Sequence, residues 1–120
     1  MPGITNSPDA TNNYDIAGAD VYSASGPITN KKGYAILSPV ASPPGALNMT
    51  LALPIAGVDD GKVLNIFALG AYAHTVVTPA NGVNGNAKTL TFTAAALNAC
   101  SLLAYNGAWY LRSATNVTAS

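Results

Sequence analysis

Ser101-Leu102-Leu103-Ala104-Tyr105-Asn106-Gly107-Ala108-Trp109-Tyr110-Leu111-Arg112 decides the fold class. Two runs of aliphatic and aromatic residues flank Asn106-Gly107. A two-residue type I′ turn needs positive φ at both central positions, and Asn-Gly supplies it at low steric cost. The stretch therefore predicts a β-hairpin. Successive side chains of a strand face opposite ways. Trp109 and Tyr110 must then divide between a core and an outer face or interface.

Working outward, the same strand grammar recurs. Thr89, Thr91 and Thr93 alternate with Leu90 and Phe92, as in a half-buried strand. His74-Thr75-Val76-Val77-Thr78 is β-branched and ends at Pro79. Val63 to Leu69 is nearly all apolar and reads as a strand buried on both faces. Leu47, Met49, Leu51 and Leu53 alternate with smaller or polar residues up to Pro54. Tyr34 to Leu37 is a short apolar run, and Val58-Asp59-Asp60-Gly61 reads as a turn. These runs predict an all-β fold, an antiparallel β-sandwich or barrel of about six to eight short strands. Neither a strand–helix alternation nor a repeat at a solenoid period is present.

The first thirty residues are composed differently. They are rich in Asn, Asp, Ser, Thr, Pro and Gly, with sparse apolar positions and no sustained period. An extended N-terminal arm is expected over residues 1–30, followed by a single β-domain over 31–120. Ile4, Tyr14, Ile16, Val21 and Tyr22 are the candidate anchors by which such an arm would grip a capsid or a neighbouring subunit. A strap of this kind covers a large surface with little chain.

Composition excludes several function classes. Only 8% of the 120 residues are charged, against about 25% in an average soluble domain. Five Lys+Arg balance five Asp+Glu, so the basic footprint of a nucleic-acid binder is missing; Lys31-Lys32 reads as a solvated loop. No apolar run approaches the roughly 20 residues that span a bilayer. The first residues lack the basic and apolar regions of a secretory signal, so none is expected. One histidine, His74, and one cysteine, Cys100, do not make a zinc cluster. Nor does a nucleophile elbow or a phosphate-binding glycine loop occur. Asp59 and Asp60 are adjacent, so they point to opposite sides and suit a turn better than paired acid–base work. No catalytic, metal or cofactor-binding residue is expected, and the chain reads as a structural or binding module, not an enzyme. Low charge fits a surface largely covered by neighbours.

Three strings carry a resemblance: Gly61-Lys62-Val63-Leu64-Asn65-Ile66, Ala73-His74-Thr75-Val76, and Leu103-Ala104-Tyr105-Asn106-Gly107-Ala108-Trp109-Tyr110-Leu111. Over Gly61 to Thr118 the chain resembles small tailed-phage virion proteins that decorate heads or form fibre shafts. The resemblance implies a β-rich homotrimer on the virion surface, made in the host cytoplasm. A single short domain with a polar arm favours a head-decoration, or cement, protein whose partners are itself and the major capsid protein. A tail or head fibre, a receptor-binding module and a small carbohydrate-binding β-domain are the alternatives. The last would use Trp109 or Tyr110 as an exposed stacking platform.

Overall fold

The computed structural model describes residues 19–41, 43–95 and 97–120. Short apolar runs punctuated by proline and glycine give ten strands among these residues. They are β1 (Ala19–Tyr22), β2 (Gly26–Ile28), β3 (Gly33–Leu37), β4 (Asn48–Leu51), β5 (Val63–Ala68), β6 (Thr75–Val77), β7 (Thr89–Phe92), β8 (Asn98–Tyr105), β9 (Ala108–Thr115) and β10 (Val117–Ala119). The described residues contain no helix, and the all-β expectation holds.

The strands form two five-stranded sheets, ordered β9-β8-β5-β3-β1 and β10-β7-β6-β4-β2. The sheets are not closed, which excludes the barrel. They are also mixed rather than purely antiparallel. From β1 to β6 the chain changes sheet at every step, so β1, β3 and β5 run parallel in one sheet, and β2, β4 and β6 run parallel in the other. A parallel pair needs a crossover connection, usually a helix; here the strand in the opposite sheet serves as that crossover. Antiparallel pairing enters only with β7 to β10, which close the winding. The turns of the winding are unequal. The step from Ala19 to its partner Tyr34 is about half that from Tyr34 to its partner Asn65, so no sequence period results.

The core lies between the sheets. Leu37 of β3, Leu64 and Ile66 of β5 and Leu102 of β8 meet Met49, Leu51, Val76, Leu90 and Phe92 from the second sheet, all buried. β5 departs from the expected double burial. Leu64, Ile66 and Ala68 are buried, but Phe67 on the other face is 37% exposed. Residues 1–18 of the expected arm lie outside the described residues. Its remainder is paired into the sheets as their edge strands β1 and β2. Asp20 on β1 and Pro27 within β2 are residues that discourage pairing at a free edge.

The hairpin forms as its sequence requires, with φ 49° at Asn106 and 84° at Gly107. It delivers Trp109 wholly into the core, where Nε1 donates to the Ala52 carbonyl at 3.0 Å. The 79–87 loop then folds over the start of β9. Trp109 N donates to Gly82 O (2.9 Å), and Asn84 N donates to Trp109 O (2.8 Å). Asn84 Oδ1 accepts from Leu111 N (2.9 Å) and so continues the ladder with a side chain. Gly82 permits this approach, because a Cβ there would collide with Thr78 and Leu53.

Trp109→Ala is expected to destabilise the fold by about 3–5 kcal/mol, the range for truncating a buried aromatic. Urea denaturation followed by circular dichroism measures it. A midpoint unchanged within error would mean that the indole does not hold the sandwich together.

Candidate interaction surface

The residues with intrinsic chemical reactivity are occupied by the fold. His74 is fully buried at the entry to β6. Its Nδ1 accepts the Leu47 N–H at 2.8 Å, which fixes the proton on Nε2. Nε2 itself has no hydrogen-bond partner. Tyr72 and Phe92 stand edge-on to the ring at 5.9 and 6.5 Å. Burial lowers the imidazole pKa, and the Leu69 backbone opposes this weakly. Burial pushes the Cys100 thiol up to about 12, so it is not a thiolate at neutral pH.

The two aspartates point apart, as adjacency implies. Asp59 is buried, with Oδ1 accepting from Lys62 Nζ (2.7 Å) and Oδ2 from Ile55 N (2.7 Å) and Lys31 Nζ (3.1 Å). Lys62 foremost, with the Ile55 amide and Lys31, holds its carboxyl well below the usual carboxylate range. Lys31 is therefore a tie between the β2–β3 turn and the 55–61 turn, not the solvated loop cation expected. Asp60 Oδ1 instead accepts from Asn106 N at 2.7 Å and braces the hairpin tip. Among the described residues no group of three or more His, Cys, Asp or Glu side chains could hold a metal ion.

What remains is surface, and the two outer faces of the sandwich differ in composition. On the second sheet, Asn48, Thr75, Thr91 and Thr118 form one row across β4, β6, β7 and β10. Thr50, Val77 and Thr89 form the next. Thr75 Oγ1 donates to Asn48 Oδ1 at 3.1 Å within the first row. A shallow hollow of about 550 Å³ on this face runs past Pro27, Thr50, Val77 and Pro79. Its one cation, Lys31, is already paired with Asp59.

On the first sheet, a row of Val21, Ile36, Phe67, Ala99 and Thr115 crosses all five strands. Beside it run Tyr34, Asn65, Ser101 and Ser113, then Val63, Leu103 and Tyr110. Val21 is 63% exposed and Tyr34 53%. None of these residues is charged. A second hollow, of about 180 Å³, opens between Tyr34, Phe67, Ala99 and Ser113, and the shielded Ser101 Oγ in it has no hydrogen-bond partner.

Of the residues singled out from sequence, Tyr110 lies on this apolar face and Trp109 does not, which removes the indole as a stacking platform. Val21 is on the same face. Tyr22 turns inward, half-buried, with its hydroxyl donating to Asn30 Oδ1 (2.7 Å) and accepting from Thr29 N (2.9 Å). Ile4, Tyr14 and Ile16 lie outside the described residues. Sequence reasoning missed Tyr34 and Phe67. The signal for Phe67 was present in the nearly all-apolar run of β5, which reads as a strand with both faces covered. Comparison with known protein families and with curated proteins finds no match to the chain.

His74 gives the fold a pH dependence. Its folded pKa lies below the unfolded value near 6.5, so the unfolded chain takes up the proton first. Stability is complete above about pH 6.5 and declines as the pH falls toward the folded pKa. The denaturation midpoint is expected to drop between pH 7.5 and 5. His74→Asn, whose Oδ1 can still accept from Leu47 N, is expected to lose that slope. Equal slopes in the two proteins would assign the pH dependence elsewhere.

Proposed function

We propose that this chain is a structural subunit of a tailed-phage virion, a head-decoration protein that binds the major capsid protein as a homotrimer. The observation that carries the reading is the division of labour among its residues. His74, Cys100 and Asp59 are all buried in the fold, while Val21, Tyr34, Phe67 and Tyr110 are left exposed on the outer face of the first sheet. Catalysis needs a nucleophile or base within reach of a substrate. Assembly needs surface that gains from being covered.

The strings that carry the phage resemblance support this reading by their placement. Gly61–Ile66 and Leu103–Leu111 lie side by side, with Gly61 N donating to Ala104 O and Ala104 N to Lys62 O (2.8 and 2.9 Å). They maintain a framework and do not converge on a site. The N-terminal segment enters the first sheet at Ala19, at the end where the hairpin turns. Lys31, Lys32, Asp59, Asp60, Lys62 and Lys88 are gathered at that same end. In this reading the hairpin end, with the segment that leaves it, faces the particle. A second reading, a glycan- or receptor-binding module, is favoured by one feature: Tyr34, Tyr105 and Tyr110 are exposed on the first sheet. It requires glycan binding by the isolated domain.

Deleting residues 1–18 is expected to leave the β-type circular dichroism spectrum intact. Binding to undecorated capsids of the phage that carries this chain should weaken at least tenfold. The cut must stop before Ala19, since β1 belongs to the sheet. Full-strength capsid binding by the truncated protein would refute the segment's role in attachment. Binding of neither form would refute the decoration reading.

A further inference from the structure

We infer that the hairpin tip is a site of spontaneous covalent modification: Asn106 deamidates in the folded chain, through a succinimide formed with Gly107, while the fold protects the other two Asn-Gly pairs.

An asparagine followed by glycine holds both reacting groups. The glycine's backbone nitrogen attacks the asparagine Cγ and gives up its proton to water. The new N–Cγ bond closes a five-membered succinimide. The Cγ–Nδ2 bond breaks, and the amide nitrogen leaves as ammonia with a proton taken from solvent. Water then opens the ring at either carbonyl, leaving aspartate or isoaspartate. Water is the only co-reactant. Glycine favours the first step because it has no side chain to crowd the nitrogen and its backbone turns freely. The reacting atoms must reach a near-attack geometry, so the rate depends on what restrains the side-chain amide and the glycine nitrogen.

The chain contains Asn81-Gly82, Asn84-Gly85 and Asn106-Gly107. All three asparagines have positive φ, at 60°, 55° and 49°, so φ does not distinguish them. What holds each pair does. Gly82 is buried, and its nitrogen donates to Pro79 O at 3.0 Å. It packs so closely on Thr78 and Leu53 that a Cβ would collide with both. Ring closure at that nitrogen would displace them. Asn84 is exposed, but its Oδ1 accepts from Leu111 N (2.9 Å) and its own N donates to Trp109 O (2.8 Å). Turning its side chain toward Gly85 breaks the ladder at the start of β9.

Asn106 is exposed, and among the described residues neither its side-chain amide nor the Gly107 N–H has a hydrogen-bond partner. One bond restrains the tip, from Asn106 N to Asp60 Oδ1 at 2.7 Å, and it lies in solvent. Opening an exposed turn costs far less than opening a core. Asp60-Gly61 could reach the same kind of imide by losing water, but Gly61 N donates to Ala104 O at 2.8 Å. Conversion changes the tip in two ways. Aspartate at 106 brings a second negative charge beside Asp60. Isoaspartate adds one backbone atom to a two-residue turn whose length sets the register of β8 against β9.

The test is peptide mapping by mass spectrometry of the full-length protein, incubated folded in mildly alkaline buffer and, in parallel, unfolded in urea. In the folded protein Asn106 is expected to convert at least tenfold faster than Asn81 or Asn84. In urea the three are expected to convert at comparable rates. Asp60→Ala, which removes the one bond restraining the tip, is expected to raise the Asn106 rate at least threefold with an unchanged β spectrum. Conversion of Asn81 or Asn84 as fast as Asn106 in the folded protein would overturn the assignment. So would conversion of Asn106 only after unfolding. The same order persisting in urea would place the difference in local sequence and overturn the fold's part in it. An unchanged Asn106 rate in folded Asp60→Ala would overturn the role of that bond.

Discussion

The indole of Trp109 holds four separate parts of the chain in one place. It sits on β9, opposite Ala104 of β8. Its ring nitrogen reaches the carbonyl of Ala52 beyond the end of β4, and its backbone is gripped by Gly82 and Asn84. A buried indole needs a partner for its single N–H, because an unpaired donor costs about 1–3 kcal/mol. Meeting that need with a carbonyl from the other sheet fixes how β9 sits over the second sheet. The covering loop also occupies the ladder positions at the start of β9, which would otherwise be an open edge. Val83, buried in that loop, adds its own contact to the cluster. The closing antiparallel strands can then stop a parallel winding that has no internal reason to end.

The parts of the fold legible in the sequence are those whose causes are local. Asn106-Gly107 specifies its turn through backbone sterics alone, and the hairpin follows. The alternation of Met49 and Leu51 with Asn48 and Thr50 specifies which side of β4 is inward. The pairing between strands is a different matter. Parallel partners such as Ala35 and Ile66 are far apart in sequence, and the intervening chain visits the other sheet before returning. Unequal turns erase the period that would have disclosed the winding. Short strands separated by turn signals then look like the antiparallel sandwich they are not. The same limit hid the Lys31–Asp59 ion pair, whose members are 28 residues apart.

The outer faces were legible by half. The polar face follows from Thr89 and Thr91 alternating with Leu90 and Phe92, since alternation assigns both sides of a strand at once. β5 offers little such contrast, since Asn65 is its one polar residue. A nearly all-apolar run gives weak periodicity from which to choose the solvent side, and the usual inference is burial on both. The chain buries Leu64 and Ile66 completely and leaves Phe67 37% exposed. Tyr34 escaped notice because a single tyrosine in a five-residue strand gives no pattern at all.

Charge distribution relates this face to the ends of the molecule. The loops at residues 38–47, 69–74 and 93–97 contain no charged residue, while Lys31, Lys32, Asp59, Asp60, Lys62 and Lys88 cluster around the hairpin end. Sandwich ends are set by strand direction, so the segregation follows from which turns received the polar residues. Lys31 and Lys62 are tied down by Asp59, and Asp60 by the hairpin. The charged end is thus braced from within by ion pairs of its own, and it carries the point where residues 1–18 join the fold.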